Sequence, residues 1–120
     1  MDKWQAQQSY WSSFGLTAYD ENTVPEDATY PFITYQAVSG SLDGQMTVSA
    51  NLWYRGHSWT EISQKVNQME SMINREVAMD GRQYMVVRKP ESNFAQRLRE
   101  DSDPLVRRIL LTVYIEFLAN

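Results

Sequence analysis

The sequence predicts an α/β protein of the α+β type, with a mostly antiparallel sheet of four to five strands and two helices packed on it. Residues 46–55 alternate between apolar and polar side chains with the period of a half-buried antiparallel strand. In residues 58–74 the apolar side chains recur at intervals of four, three and four, which places them on one face of a helix. They are Ile62, Val66, Met69 and Ile73.

Size and composition indicate a single domain, residues 1–120. A chain of 120 residues can bury roughly two thirds of its unfolded surface in one core, and a second domain does not fit. The formal charge of -4 disfavours a protein that binds duplex nucleic acid by neutralising phosphates. Without cysteine there are no disulfides and no thiolate metal sites, and no apolar segment approaches the length of a membrane span. We expect a protein made and used without export.

The N-terminal part of the chain begins with an expected helix over residues 2–14, whose aromatic side includes Trp4 and Trp11. Gly15 can end this helix in a left-handed conformation. Residues 16–30 follow as a connector longer than the usual loop between packed elements, so we expect it to be mobile or held by a neighbouring molecule. The acidic residues of this connector are Asp20, Glu21, Glu26 and Asp27.

Two hairpins are predicted from strand patterns and turn residues. Residues 31–38 alternate as a strand does, and the turn-rich residues 40–44, which include Asp43, should join them to the strand that follows. Asp80-Gly81 between two extended runs is a strong signal for the second hairpin.

The helix between these hairpins should begin at Ser58, because Ser58 and Glu61 have the spacing of a capping box. It should end near Asn74. A competing interpretation carries it on to Met79, with Val77 as one more apolar residue of the same face.

The C-terminal part contains an irregular segment, residues 91–104, and then the longest strand candidate, residues 105–118. From Ile109 onward one face of that strand is apolar, and the strand should lie in the centre of the sheet because an exposed apolar edge would invite aggregation. The residues of that face are Ile109, Leu111, Val113, Ile115 and Phe117.

No catalytic constellation emerges from the sequence. The sole histidine, His57, lies just before a helix start and lacks the orienting partner that a catalytic base requires. The acidic turn at residues 100–103 lacks the length and the glycine of a known calcium loop, and no Gly-rich phosphate loop occurs. We therefore predict a protein that is not an enzyme and that has no cofactor and no metal site.

Two groups of residues suggest contacts with other elements or molecules. Trp53 should emerge on the polar side of the sheet, where a partner or another part of the chain could cover it. Four arginines, Arg97, Arg99, Arg107 and Arg108, surround the acidic turn. Local ion pairs are the simpler interpretation of this cluster, and a docking patch is the alternative.

A series of short motifs runs through nearly the whole chain in a characteristic order. It comprises an opening aromatic helix from Trp4 to Phe14, Pro31-Phe-Ile-Thr-Tyr35, Leu52-Trp-Tyr-Arg55 with Ser58-Trp-Thr-Glu-Ile-Ser-Gln-Lys65, and Phe94-Ala-Gln-Arg-Leu98 before the C-terminal strand. In this order the chain resembles small tail-completion proteins of long-tailed bacteriophages and prophages. Among these it is similar to the tail terminator, or tail-to-head joining, proteins, sometimes labelled minor capsid proteins.

The resemblance implies a structural function. Subunits of that family form a ring, typically a hexamer, that caps the completed tail tube and joins it to the head connector. The expected partners are other copies of the chain, the tail tube protein and the head connector or stopper proteins, and DNA passes through the ring without specific contacts. The expected location is the tail or neck of a virion assembled in the host cytoplasm.

A ring interface joins two different surfaces of the subunit. We expect the two long segments to supply them. The candidate interface residues are Asp20, Glu21, Glu26 and Asp27 on one side and Phe94, Arg97, Leu98 and Arg99 on the other. In the alternative, Phe94 packs on its own sheet.

Other functions stay open. The chain could be a head-completion or other neck protein of the same particle. It could also be a small nucleic-acid-binding module in which Tyr35, Trp53 and Tyr84 stack on bases. A small enzyme with a site shared between subunits has no support beyond His57.

Overall fold

The computed structural model describes residues 1–42 and 44–119, so Asp43 of the predicted turn lies outside the described residues. Two helices and seven strands follow in the order α1 (Lys3–Ser12), β1 (Thr17–Asp20), β2 (Phe32–Tyr35), β3 (Gln45–Arg55), α2 (Thr60–Ser71), β4 (Arg75–Ala78), β5 (Gln83–Arg88), β6 (Ala95–Leu98) and β7 (Val106–Ala119). The single α+β domain agrees with the prediction, whereas the predicted strand number of four to five is too low.

The sheet is mixed and is centred on β3 and β7. Its strand order is β1-β2-β3-β7-β5-β4, and β6 pairs with the first part of β7 on the edge that β5 occupies further along. β1 and β2 are parallel, and the other neighbouring strands are antiparallel. The predicted central position of the C-terminal strand is therefore confirmed.

The pairing of β3 with β7 forms one continuous apolar surface. It extends from Gln45 opposite Glu116 to Arg55 opposite Val106, and alternate residues of both strands point into the core. The predicted faces of these two strands are confirmed. Their fully or nearly fully buried residues are Val48, Ala50, Leu52, Ile109, Leu111, Val113, Ile115 and Phe117.

Helix α2 covers this surface through Ile62, Val66 and Met69, as the spacing of these residues predicts. The predicted capping box at Ser58 is wrong. Trp59 takes the N-cap position, and the Ser58 hydroxyl accepts a hydrogen bond from the Thr60 amide at 3.4 Å.

The C-terminal end of α2 also differs from the prediction, since the helix stops at Ser71. Asn74 has a φ of +74°, and its amide donates to the Val87 carbonyl at 2.9 Å, which starts the β4–β5 hairpin. The hairpin around Asp80-Gly81 is confirmed, with Gly81 at a φ of +69° that suits glycine. A helix that continues to Met79 is excluded.

Helix α1 begins with a capping box that the sequence analysis did not identify. The Gln5 amide donates to Asp2 Oδ1 at 2.8 Å, and the Asp2 amide donates to Gln5 Oε1 at 2.9 Å. Gly15 has the predicted left-handed conformation, with a φ of +86°. Trp11 is buried, but Trp4, two turns before it, is 53% exposed. The prediction that Trp4 belongs to the packed aromatic side is wrong.

Helix α1 connects the two outer strands of the curled sheet. Gln8 Nε2 donates to the Ala18 carbonyl of β1 at 2.9 Å, and Arg75 of β4 donates to the Ser13 hydroxyl at 3.1 Å. Gln7 is completely buried, and its amide pairs with the backbone of Val38, donating to the carbonyl at 2.8 Å and accepting from the amide at 2.8 Å. Side chains of the helix thus supply the hydrogen-bond partners that a neighbouring strand would otherwise give to these backbone groups.

Both segments predicted as irregular contain a strand. β1 lies within residues 16–30 and pairs with β2, and β6 lies within residues 91–104 and pairs with β7. Each is four residues long, and neither has an alternating apolar pattern. Conversely, the strand predicted over residues 31–38 is limited to Phe32–Tyr35. None of the described helices has the length and apolar character needed to cross a membrane.

Val66→Asp should destabilise the domain by about 3 kcal/mol or more, because the side chain is 8% exposed and an unpaired carboxylate would be buried. Urea unfolding gives the free energy directly. Gln64→Asp on the exposed side of α2 is the matched control and should cost at most about 0.5 kcal/mol. Equal stabilities of the two variants would show that the α2 stripe is not core.

Gln7→Met should lower the free energy of unfolding by about 2 kcal/mol or more. Methionine has a similar length but cannot form the two hydrogen bonds to Val38, so the Val38 amide and carbonyl are left unpaired. The same substitution at exposed Gln64 is the control and should be nearly neutral. Hydrogen exchange of the Val38 amide should accelerate only in the Gln7 variant. An unchanged exchange rate would contradict this role.

Candidate functional site

The acidic turn at residues 100–103 is engaged in local ion pairs. Asp101 pairs with Arg99 at 2.9 Å, and Glu100 pairs with Arg108 at 3.6 Å. The local ion-pair interpretation is therefore confirmed for these two arginines. Within residues 1–42 and 44–119, His, Cys, Asp and Glu side chains form no group of three or more that could hold a metal ion.

Asp103 ends this turn and connects it to β3. Its carboxylate accepts from the Leu105 amide at 3.0 Å and from Arg55 Nε at 3.0 Å. These contacts, the Leu105 amide first and the Arg55 guanidinium second, hold the pKa of the Asp103 carboxyl below its ordinary value. The turn and the start of β7 are thereby held against the end of β3.

Trp59, at the start of α2, lies close to two guanidinium groups. Arg97 of β6 lies 5.0 Å from the centre of the indole, and Arg107 of β7 lies 5.5 Å from it. Arg97 also donates to the Ser63 hydroxyl at 3.1 Å. Trp59, Arg97, Arg99 and Arg107 line a cleft of about 400 Å³, which we call the arginine cleft, and Glu100 and Asp101 also lie on its wall.

Arg107 is held in the arginine cleft by backbone carbonyls. Its Nη1 donates to the Pro104 carbonyl at 2.7 Å, and its Nη2 donates to the His57 carbonyl at 3.1 Å. The His57 backbone thus serves as an acceptor, while its side chain is exposed. Among the described residues, no carboxylate lies within ion-pair distance of Arg97 or Arg107.

The predicted acidic segment, residues 20–27, follows β1. Asp20 accepts hydrogen bonds from the backbone and the side chain of Asn22, at 3.0 and 3.2 Å. Glu21, Glu26 and Asp27 are exposed, and none of them forms an ion pair with a described residue. The segment therefore presents free negative charge.

The strand registers separate the two predicted groups of interface residues. One row across the sheet leads from Arg97 through Ile109, Leu52 and Ile33 to Ala18. At about 4.8 Å per strand spacing, β6 and β1 lie roughly 19 Å apart along this row. The arginines and the acidic segment are therefore not brought together within one subunit.

The two apolar residues of the predicted interface, Phe94 and Leu98, are not fully exposed to a neighbouring subunit. Phe94 is only 8% exposed and belongs to the subunit's own core, as the alternative interpretation has it. Its carbonyl accepts from the Thr112 amide at 2.8 Å. Leu98 is half-buried opposite Arg108. Phe94 is thus not an exposed apolar anchor.

The face of the sheet opposite the helices carries an aromatic row. Trp53 stacks on Phe32 at 6.1 Å, and the Arg108 guanidinium lies 5.2 Å from the indole. Trp53 Nε1 donates to the Thr34 hydroxyl at 2.9 Å. Trp53 thus lies on the predicted face and is partly covered by its own chain.

Tyr35, the second residue of the proposed base-stacking set, cannot stack on a base. It is 4% exposed on the helix side of the sheet, where it stacks on Trp11 and donates to Gln8 Oε1 at 2.5 Å. Burial raises the pKa of its hydroxyl, and the nearby Asp20 charge raises it further. The third residue, Tyr84, is half-buried on β5.

Comparison of the chain with family models, curated protein sequences and solved structures finds no match. The evidence for a function therefore comes from the residues themselves. Of the residues in the arginine cleft, Trp59 was not among the predicted interface residues, and Arg107 was named only in the alternative of a docking patch. Trp59, an aromatic residue at a predicted helix start, could be recognised from the sequence as a candidate contact residue. Its position beside two arginines follows only from the pairing of β6 with β7.

Arg55→Gln should raise the pKa of Asp103 towards its ordinary value but not fully, because the Leu105 amide remains a donor. NMR titration of the Asp103 carboxyl measures this shift, and Arg82→Gln at an exposed turn is the control. Since the folded-state pKa is lowered, the stabilisation is present above the unfolded pKa and is lost as pH falls through the folded pKa. An unchanged pKa in Arg55→Gln would exclude the ion pair.

Proposed function

We propose that this protein is a structural subunit that forms a ring, caps the completed tail tube of a long-tailed phage and joins it to the head connector. The order of motifs from Trp4 to Leu98 supports this, since it resembles tail terminator proteins. The subunit ring is the central element of the proposal. It requires each subunit to contact its two neighbours through two different surfaces.

The observation that carries the proposal is the position of the two long segments at different edges of the sheet. Residues 16–30 contribute β1 at one edge, and residues 91–104 contribute β6 along the other side of the β3–β7 pair. The exposed charged residues of the first segment are all acidic, whereas those of the second include two arginines beside two acidic residues. Such a subunit has the two unlike surfaces that a head-to-tail contact needs.

The overall charge is compatible with a ring around DNA. At a formal charge of -4, the chain does not have the basic excess of proteins that bind phosphates tightly. DNA can therefore pass without being held. A head-completion or other neck protein of the same particle would have the same requirement, so charge does not distinguish these roles.

A nucleic-acid-binding module is the second candidate, and the aromatic row on the open face of the sheet favours it. Trp53, Phe32 and Arg108 form a stacked surface of the kind that binds bases. However, Glu21 lines the hollow beside Phe32 and Trp53, where its charge would repel phosphates, and Tyr35 is buried. Oligonucleotide binding that weakens steeply with salt and is lost in Trp53→Ala would favour this candidate.

In the phage or prophage that encodes the protein, removal of the gene should prevent the joining of heads to tails. If the protein caps the tube, tubes should also grow beyond their normal length, because nothing ends their assembly. Electron microscopy of lysates measures both effects. Tails of normal length beside unjoined heads would instead indicate a head-completion role.

Complementation with the wild-type gene and with His57→Ala provides the control. Both should restore infectious particles equally, because the proposed function needs no catalytic histidine. Infectious particles in normal number without the gene would reject the proposed function. A defect confined to His57→Ala, with normal folding and assembly of the subunit, would indicate an enzymatic role.

A further inference from the structure

We propose that the arginine cleft binds the acidic segment, residues 20–27, of a second copy of this chain. The carboxylates of that segment enter beside Arg97 and Arg107 next to Trp59. This inference rests on the proposed function for its biological role, and it names the surfaces through which neighbouring subunits meet. The contact is head-to-tail, because a different surface of each copy takes part.

The arginine cleft has positive charge that its own carboxylates do not neutralise. Asp101, Glu100 and Asp103 are each engaged with another arginine, namely Arg99, Arg108 and Arg55. Arg97 and Arg107 have no such partner within residues 1–42 and 44–119. The N-terminal end of α2 lies beside them and adds a partial positive charge.

Both guanidinium groups are fixed before a ligand arrives. Arg97 is held by the Trp59 ring and the Ser63 hydroxyl, and Arg107 is held by the same ring and two backbone carbonyls. Binding therefore costs little side-chain entropy. A planar guanidinium can offer two parallel hydrogen bonds to a carboxylate, so the cleft favours carboxylates of Asp or Glu.

The acidic segment provides the complementary charge. Glu21, Glu26 and Asp27 are exposed without an ion pair in the described part of the chain. They follow β1, which is roughly 19 Å from β6 along the sheet, so they do not reach the cleft of their own subunit. Only a contact between copies brings the two charges together.

The outer backbone edge of β6 is open beside the arginine cleft. In the described residues, this edge forms no hydrogen bond with another element. Arg97 and Leu98 of β6 line the cleft. The edge of β1 is not open in the same way, because its Ala18 carbonyl accepts from Gln8 of α1 at 2.9 Å. The contact therefore joins the cleft to the exposed acidic segment beyond β1 and does not extend the sheet from one copy to the next.

Charge reversal tests this contact. One variant carries E21K, E26K and D27K, the second carries R97E and R107E, and the third carries R97E alone in case the loss of Arg107 impairs folding. Sedimentation velocity from about 10 μM to about 1 mM at low salt should show self-association of the wild type. Each variant should self-associate about tenfold more weakly or worse, because like charges meet at the contact.

An equimolar mixture of the first variant with either arginine variant should recover association, because each reversed surface then meets an opposite charge. The control variant carries E76K and R82E, which reverse exposed charges of the β4–β5 hairpin, and it should behave as the wild type. Circular dichroism confirms that each variant is folded. High salt should weaken association of the wild type and of the mixture alike.

A wild-type chain that stays monomeric at about 1 mM would overturn the inference, as would folded variants that associate normally or mixtures that do not recover. The outcomes separate the two proposals. Charge-dependent association together with normal particles in the absence of the gene would reject the phage function and keep the contact. Failed joining without the gene, with association insensitive to these charges, would keep the function and reject the contact.

Discussion

The pairing of β3 with β7 is the constraint on which the rest of the fold depends. Eleven residues of β3 pair with β7, and apart from Arg107 at the start of β7 the core-side face of both strands is apolar. Such a surface must be covered, and α2 covers it through a matching stripe. α1 covers the part nearer the outer strands. Its Gln7 and Gln8 side chains hydrogen-bond to backbone groups there. The remaining strands extend this pair in both directions.

Because both helices lie on one face of the sheet, the opposite face has to be stable without a second layer. Stacked side chains take the place of a second layer there. Phe32, Trp53 and Arg108 lie side by side on neighbouring strands, and each shields part of the next from water. Arg88 and Glu116 pair at 3.3 Å further along the same face. Aromatic residues here are therefore explained by the architecture of the sheet and do not by themselves indicate a base-binding surface.

Long periodic elements could be predicted from the sequence, and short ones could not. β3, β7 and α2 each repeat an apolar pattern over ten or more residues, so their type and buried faces follow from local sequence. β1 and β6 have four residues each, too few for a pattern, and they are strands because β2 and β7 offer unpaired edges. The same limit applies to the arginine cleft. Arg97 could be named from charge alone, whereas its position beside Trp59 depends on three separate elements meeting.

The separation of charge across the sheet has a physical consequence for assembly. Single ion pairs at a surface contribute about 0–1 kcal/mol each, so one contact between an acidic segment and an arginine cleft is weak. In a closed ring every subunit makes the contact twice, and the last contact forms within an already connected chain, which raises its effective concentration. If the proposed ring forms, weak individual contacts would allow its subunits to exchange in solution, while closure would stabilise the finished ring. In the proposed function, a tail tube that holds several subunits at once would promote this closure at the one place where the ring is needed.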